Sequence, residues 1–277
     1  MIRAKLLCQS SVVSVSRLDH QPDTVHQDMG EEVAESFAVN FVEAGCFRLS
    51  AYGCSWRLTP GSVFVSQPGD VRDYSHDEEF PTDVCASVSF TPEFIEGCTD
   101  GASLLPAAAL ILQLPTNRLA FLKLRLDAMI GMTEQLALDD FAYELIAAIR
   151  TVGRTLNNER PYGARQLNWY AERVEAVRAL LETQYAESQS LASLAAGVGM
   201  SAFNFARVFR QLTGLPPHRY LVQVRLNRAL EMLRDGSPVT DVCYAVGYSN
   251  LSHFTRSFRR RFGFQPSTLK RVQRHAS

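Results

Sequence analysis

The apolar positions change rhythm once along the chain. Up to about residue 100 they come in short, nearly alternating runs: "SFAVNFVEAG", "CFRLSAYG", "CSWRLTPG", "SVFVSQPGD" and "VCASVSFTPE", each ended by Gly, Pro or an acidic residue. Runs of this kind, spaced roughly ten residues apart, predict the strands of an all-β sandwich or small barrel. The sharpest piece lies between two turn signals, Pro60-Gly61 and Pro68-Gly69, and puts Val63 and Val65 on one face of a strand. After Thr116 apolar residues recur at steps of three and four, the rhythm of helices. In "ALDDFAYELIAAIRTVGRTL" the residues Phe141, Leu145, Ile149, Val152 and Leu156 form one stripe. Two readings of that stripe stand open: packing onto the β-rich part, or a homodimer seam through 137–156. The polar, aperiodic "NNERPYGARQ" is the linker candidate, and everything after it reads as helix. The expected class is α+β: a β-rich domain over 1–115, a helical segment over 116–157, a linker over 158–168 and an all-α domain over 169–277.

Within that last domain a unit occurs twice. "SLASLAAGVGMSAFNFARVFRQLTGLPP" begins at Ser190 and "PVTDVCYAVGYSNLSHFTRSFRRRFGFQP" at Pro238. Val198 matches Val246 and Gly199 matches Gly247, an offset of 48; Phe205 matches Phe254 and Phe209 matches Phe258, an offset of 49. Each copy reads as helix, tight turn, helix. Ser190, Ser201 and either Ser249 or Asn250 are placed to cap helix N-termini, and Gly199 and Gly247 to make the turns. This is the helix-turn-helix plan, whose second helix enters the DNA major groove. The phenylalanines, four apart, form an inward spine, and the arginines are left outward. The joining stretch "PPHRYLVQVRLNRALEMLRDG" reads as one long helix of about 18 residues, roughly 27 Å. That length suits two recognition helices about one DNA turn apart.

Charge sharpens this picture. The formal net charge of −1 conceals a split. Residues 1–165 carry 13 Lys+Arg against 22 Asp+Glu, whereas the stretch from Ser188 onward carries 13 against 3. Such asymmetry points to a polyanion as the partner of the C-terminal domain. Guanidinium groups suit both phosphates and the O6/N7 edge of guanine. No apolar run approaches the length needed to span a membrane, and the N-terminus does not read as a signal peptide. The six cysteines are scattered without CxxC spacing, which fits reduced thiols in a cytoplasmic protein.

With two helix-turn-helix units, a joining helix and the ending "GYSNLSHFTRSFRRRFGFQPSTLKR", residues 170–274 resemble the AraC/XylS family of transcription regulators. The N-terminal part resembles, less distinctively, the cupin-type sensing domain of many such regulators, so a cupin-like barrel or sandwich is expected there. The resemblance implies double-stranded promoter DNA and RNA polymerase as partners, a small-molecule effector, activation as the commoner mode and no cofactor. It implies DNA-facing positions at Ser201, Ala202, Phe203, Asn204, Arg207 and Arg210 in the first copy, with Arg207 the strongest candidate for a base contact. In the second copy it implies Asn250, Leu251, Ser252, His253 and Arg256. Arg259, Arg260 and Lys270 are expected on phosphates.

The sensing half carries weaker chemistry. It lacks the closely spaced HxH signature of enzymatic cupins, and His20, His26 and His76 lie far apart in sequence. "HDEEFPTDVC" offers His76, Asp83 and Cys85 as metal-site candidates, against which isolated polar residues on strands are the expected reading. Cys46 and Cys54, eight apart, are candidates for a switchable pair on adjacent strands. An enzyme is not expected. A cupin metalloenzyme with an accessory DNA module would need the missing histidines, and a DNA-alkyl repair protein would need a PCHR-type cysteine motif, which is absent. A constitutive dimeric regulator without a ligand is the alternative to an effector-controlled one.

Overall fold

The computed structural model describes residues 2–20, 29–76, 82–99, 111–112, 116–130, 135–152 and 160–269. The chain divides into two compact units, 1–167 and 168–277.

The first unit is built on two antiparallel sheets. One has six strands, ordered β1 (Ile2–Gln9), β2 (Val13–His20), β9 (Asp83–Phe90), β4 (Ala38–Gly45), β7 (Val63–Ser66) and β10 (Ile111–Leu112). The other has four, ordered β3 (Met29–Val33), β8 (Val71–Ser75), β5 (Phe47–Ala51) and β6 (Cys54–Leu58). The strands legible in the alternation correspond to β4, β5, β6, β7 and β9; β1, β2, β3 and β8 were not singled out. β1 is an edge strand with little burial to impose a pattern: Leu6 is 53% exposed. The β5–β6 hairpin closes on Tyr52-Gly53, both at positive φ (53° and 72°), the two-residue loop whose twist suits a hairpin. Its register overturns the Cys46–Cys54 pairing. Cys54 sits opposite Ala51 and Cys46 precedes Phe47, which sits opposite Leu58. The two cysteines are therefore at opposite ends of the hairpin, roughly 17 Å apart along the strand. Cys46 is buried and accepts a hydrogen bond from Arg57 Nε (3.0 Å), while Cys54 is exposed.

The six-stranded sheet has two unlike faces because successive side chains point to opposite sides. On one face Val13, Val15, Val39, Phe41, Val63 and Val88 enter a single apolar core with helices α2 (Asn117–Met129) and α3 (Gln135–Val152). Val63 and Val65 lie in that core together, as the Pro-Gly-bracketed strand predicts. The helical stripe is consumed in the same place: Phe141, Leu145 and Ile149 are 0%, 0% and 2% exposed against it. Packing within the unit, not a homodimer seam, accounts for these three; the side chains of Val152 and Leu156 lie outside the described residues. The segment expected as a linker is held rather than free. Asn117 donates to the Arg160 carbonyl (3.3 Å) and accepts from the Tyr162 amide (2.7 Å). Helix α4 (Ala164–Thr183) already begins inside it.

The second unit is all helix: most of α4, then α5 (Leu191–Gly197), α6 (Ala202–Thr213), α7 (Pro217–Arg234), α8 (Val239–Ala245) and α9 (Leu251–Phe262). The caps fall on the residues their chemistry selects. Ser190 forms a reciprocal capping box with Ser193, Ser201 accepts from the Asn204 amide (3.3 Å), and Asn250 accepts from the His253 amide (2.9 Å). Each such cap contributes on the order of 1 kcal/mol. Gly214 and Gly263 close α6 and α9 in the left-handed conformation, both at φ 82°. Phe205, Phe209, Phe254 and Phe258 are completely buried, with ring centroids 5.5 Å apart in the first pair and 5.8 Å in the second.

One loop joins the two helix-turn-helix copies. Arg225 on α7 donates to the carbonyls of Tyr185 (2.7 Å) and Glu187 (2.9 Å), in the turn between α4 and α5. In the same turn the Ala186 carbonyl lies where a Cβ on Gly247 would meet it at 2.5 Å. Tyr185 packs on the core of the second copy, beside Leu226, Val242 and Phe258. No single helix among the described residues is long and apolar enough to cross a membrane.

Candidate nucleic-acid interface

α6 and α9 are each the second helix of a helix-turn-helix copy, and each buries only one stripe. The rest of each helix faces water, and there the sequence-derived positions lie. On α6, Phe203 is 83% exposed, an unusual position for a large apolar side chain. Ser201 is exposed but its hydroxyl is spent on the cap; Ala202 and Asn204 are half-buried; Arg207 and Arg210 are exposed. The Arg207 guanidinium is held by its own helix, donating to Asn204 Oδ1 (2.8 Å) and Gln211 Oε1 (2.9 Å). These partners stand three and four residues away, the spacings that put side chains on one helical face.

On α9, Leu251 (38% exposed), Ser252, Arg256, Arg259 and Arg260 edge one shallow surface groove, with Thr255 between them. Arg256, Arg259 and Arg260 are exposed and have no carboxylate partner among the described residues. Asn250 is the N-cap, and His253 is exposed with its ring tilted against Tyr248 at 5.5 Å. Lys270 lies outside the described residues. Arg259, Arg260 and Arg261 occupy the last turn of α9, where cations also oppose the negative end of the helix dipole.

Two arginines of the basic region do different work. Arg225 clasps the α4–α5 turn. Arg178, 5% exposed, donates to the Tyr220 hydroxyl (2.9 Å) and to Glu175 (3.0 Å), while the Tyr220 hydroxyl donates to Glu182. Burial first, with the Glu182 carboxylate adding to it, pushes the Tyr220 hydroxyl far above the ordinary tyrosine range against the opposing pull of Arg178. This network fastens α4 to α7. Nothing in the residue types separates such structural arginines from the outward ones; only their place on the apolar faces does.

The first unit holds the other feature with site character. Opposite its helix-packed face, the six-stranded sheet turns Ser16, Asn40, Ser66, Ser87 and Ser89 toward the second sheet, around a cleft of about 580 Å³. Arg72, 3% exposed, lines it and pairs with Asp70 (2.7 Å) and Ser66 Oγ (3.0 Å), yet its Nε has no hydrogen-bond partner among the described residues. Of the three metal candidates, His76 and Asp83 do meet, at 2.6 Å. The Cys85 thiol contacts the other Asp83 oxygen at 3.5 Å. Its proton is retained well above the usual thiol range by burial first and by the Asp83 charge second. Sequence separation hid a further member: the His20 ring stacks on His76, centroids 4.3 Å apart.

Two helix-turn-helix copies with caps, buried spines and basic outer faces on one joining helix have the architecture of a DNA-binding domain. A helix-turn-helix domain family matches residues 194–271. The HTH-type transcriptional activator RhaS of Escherichia coli is 35% identical over 101 residues, which is 36% of this chain and 36% of RhaS; the chain thus spans about a third of the length of the curated relatives it matches. Among solved structures, a probable AraC family transcriptional regulator from Rhodopseudomonas palustris is 30% identical over 36% of this chain and 96% of that one, with a TM-score of 0.35. The DNA-binding domain of the transcriptional factor AdpA, solved with a target DNA, is 28% identical over 38% of this chain and 95% of that one, with a TM-score of 0.36. Over its C-terminal domain the chain is similar to helix-turn-helix transcription regulators of the AraC family.

Proposed function

We propose that the protein is a sequence-specific, promoter-binding transcription regulator whose N-terminal unit takes a small-molecule effector. The observation that carries the DNA-binding half is the pairing of two exposed, basic recognition helices on a single scaffold helix. In this reading α6 and α9 enter successive major grooves. Arg207, already oriented by Asn204 and Gln211, reads a base edge. Phe203 offers an apolar surface of the kind that meets a thymine methyl. Arg210, Arg256, Arg259 and Arg260, with Lys270, hold phosphates. Ser201 and Asn250 set the two helix starts, and Ala202, Leu251, Ser252 and His253 border the reading faces.

The effector half rests on the cleft. Its walls set small polar groups such as Ser16, Asn40 and Ser87 beside the rings of Phe47, Phe64 and Tyr74, a mixed lining whose size suits a small ligand. The orphaned Arg72 Nε favours a ligand with an oxygen acceptor. Activation through RNA polymerase, and dimerisation through a surface other than the buried stripe of α3, complete the proposal.

Selection of genomic fragments by the full-length protein, followed by sequencing, tests it. The expected result is a motif with two boxes about one helical turn apart. Salt-sensitive binding without an enriched motif, in the presence of cell extract as an effector source, would overturn sequence-specific reading. A motif bound equally with and without extract would favour the constitutive regulator.

A further inference from the structure

We infer that His20, His76 and Asp83 form a binding site for a divalent transition-metal ion of the zinc class, set at one edge of the N-terminal cleft. The first support is convergence from three places in the chain. His20 ends β2 and Asp83 begins β9, and the two are direct cross-strand partners. His76 directly follows β8, a strand of the other sheet. One ligand atom from each lies within 4.8 Å of the other two. A tetrahedral ion with donors at about 2.0–2.1 Å needs them roughly 3.3 Å apart. The donors would shift by up to about 1.5 Å to meet that spacing.

The donor chemistry is the second support. Two imidazoles and one carboxylate are borderline ligands that suit zinc and its neighbours better than calcium or magnesium, which prefer oxygen. All three residues line the same cleft, and His76 and Asp83 are 13% and 12% exposed, reachable by an ion yet shielded from bulk water. Three protein donors leave a coordination position open, and here it faces the cleft. Cys85 stands next along the same face of β9.

A third consideration is mechanical. Because the donors come from both sheets, the ion would staple the sandwich together across its cleft. The arrangement is unlike an HxH pair on a single strand, and the sequence gives it no local spacing to be recognised by. The inference stands apart from the DNA-reading proposal: either can fail alone.

Metal-stripped full-length protein titrated with Zn2+ in a calorimeter decides the matter, together with elemental analysis after gel filtration. The expected outcome is one Zn2+ per chain, a melting temperature raised by the ion, and loss of stoichiometric uptake in both His20→Ala and His76→Ala. His218→Ala, exposed on α7, should take up Zn2+ as the parent does. Since His76→Ala also removes the hydrogen bond with Asp83, the His20→Ala result is decisive, with the circular dichroism spectrum and cooperative melting of the metal-free variant reporting that the chain remains folded. Absence of saturable uptake, or uptake that survives His20→Ala, would overturn the site and leave the His76–Asp83 pair as a structural link between sheets. Weaker, non-stoichiometric binding in parent and variants alike would overturn it equally.

Discussion

α6 and α9 share a buried pair of phenylalanines, a side-chain N-cap and a left-handed glycine at the C-terminus, yet their outer faces are differently prepared. On α6 the one central arginine is held in place by Asn204 and Gln211, beside an exposed Phe203. At the matching places on α9, an offset of 49, stand His253 for Asn204, Arg260 for Gln211 and Ser252 for Phe203. Its guanidiniums have charge and reach but no side-chain brace among the described residues. Reading a base edge needs a fixed orientation, whereas holding a phosphate needs mainly positive charge within range. The repeat thus keeps what makes a helix-turn-helix fold and varies what a helix can read.

The largest effect should fall on what the copies share. Phe209→Ala and Phe258→Ala should each destabilise the unit by about 3–5 kcal/mol in urea unfolding, the range for emptying a buried aromatic site. A fully folded variant deficient only in DNA binding would show that the spine of that copy faces the duplex. A sharper contrast comes from the turns. Gly199 and Gly247 both sit at positive φ (67° and 82°), where a Cβ costs about 1–2 kcal/mol. Only at Gly247 does the new atom also meet the Ala186 carbonyl. Gly247→Ala should therefore lower stability clearly more than Gly199→Ala, and equal losses would show that the 184–190 turn yields without resistance.

The outer faces should then separate the copies. Arg207→Ala should weaken binding to the selected motif by about 1–3 kcal/mol and relax preference at one base pair. An equal loss on random DNA, in the same electrophoretic mobility assay, would remove its base-reading role. Arg260→Ala should give the smallest effect, a loss on all sequences alike and a decrease of about 0.9 in the slope of log affinity against log salt. An unchanged slope would take Arg260 out of the phosphate set and make α9 a reader like α6.

Legibility in the sequence followed the range of the interactions. The caps at Ser190 and Ser201, the turn glycines and the joining helix are set by neighbours within four residues and could be read from the chain alone, whereas at α9 the chain left Ser249 and Asn250 open and the structure places the cap at Asn250. The stripe on α3 was visible, but what covers it is a sheet more than fifty residues away in sequence, so packing and dimerisation looked equal. The cysteine pairing failed because the hairpin register depends on its turn: with Tyr52-Gly53 as the loop, Cys46 and Cys54 part to opposite ends. His20 escaped notice as a companion of His76 because they belong to different sheets. Arg178 and Arg225 were hidden in the general basicity of their domain; only burial marks them as fasteners.

The contact of Arg225 with the turn at Tyr185 and Glu187 has a consequence for the length of an operator. Two binding modules on a floppy tether search for their boxes separately and tolerate variable gaps. In the two-groove reading proposed above, modules clasped through a shared turn would act instead as a gauge of fixed span: once one is seated, the other arrives at a set distance and phase. An operator lengthened by half a helical turn would carry its second box to the opposite side of the duplex, beyond the gauge. Where the spacing is only slightly wrong, it is the DNA that must twist or bend to meet the protein, and the stiffness of the intervening base pairs, which no side chain touches, enters the choice of site.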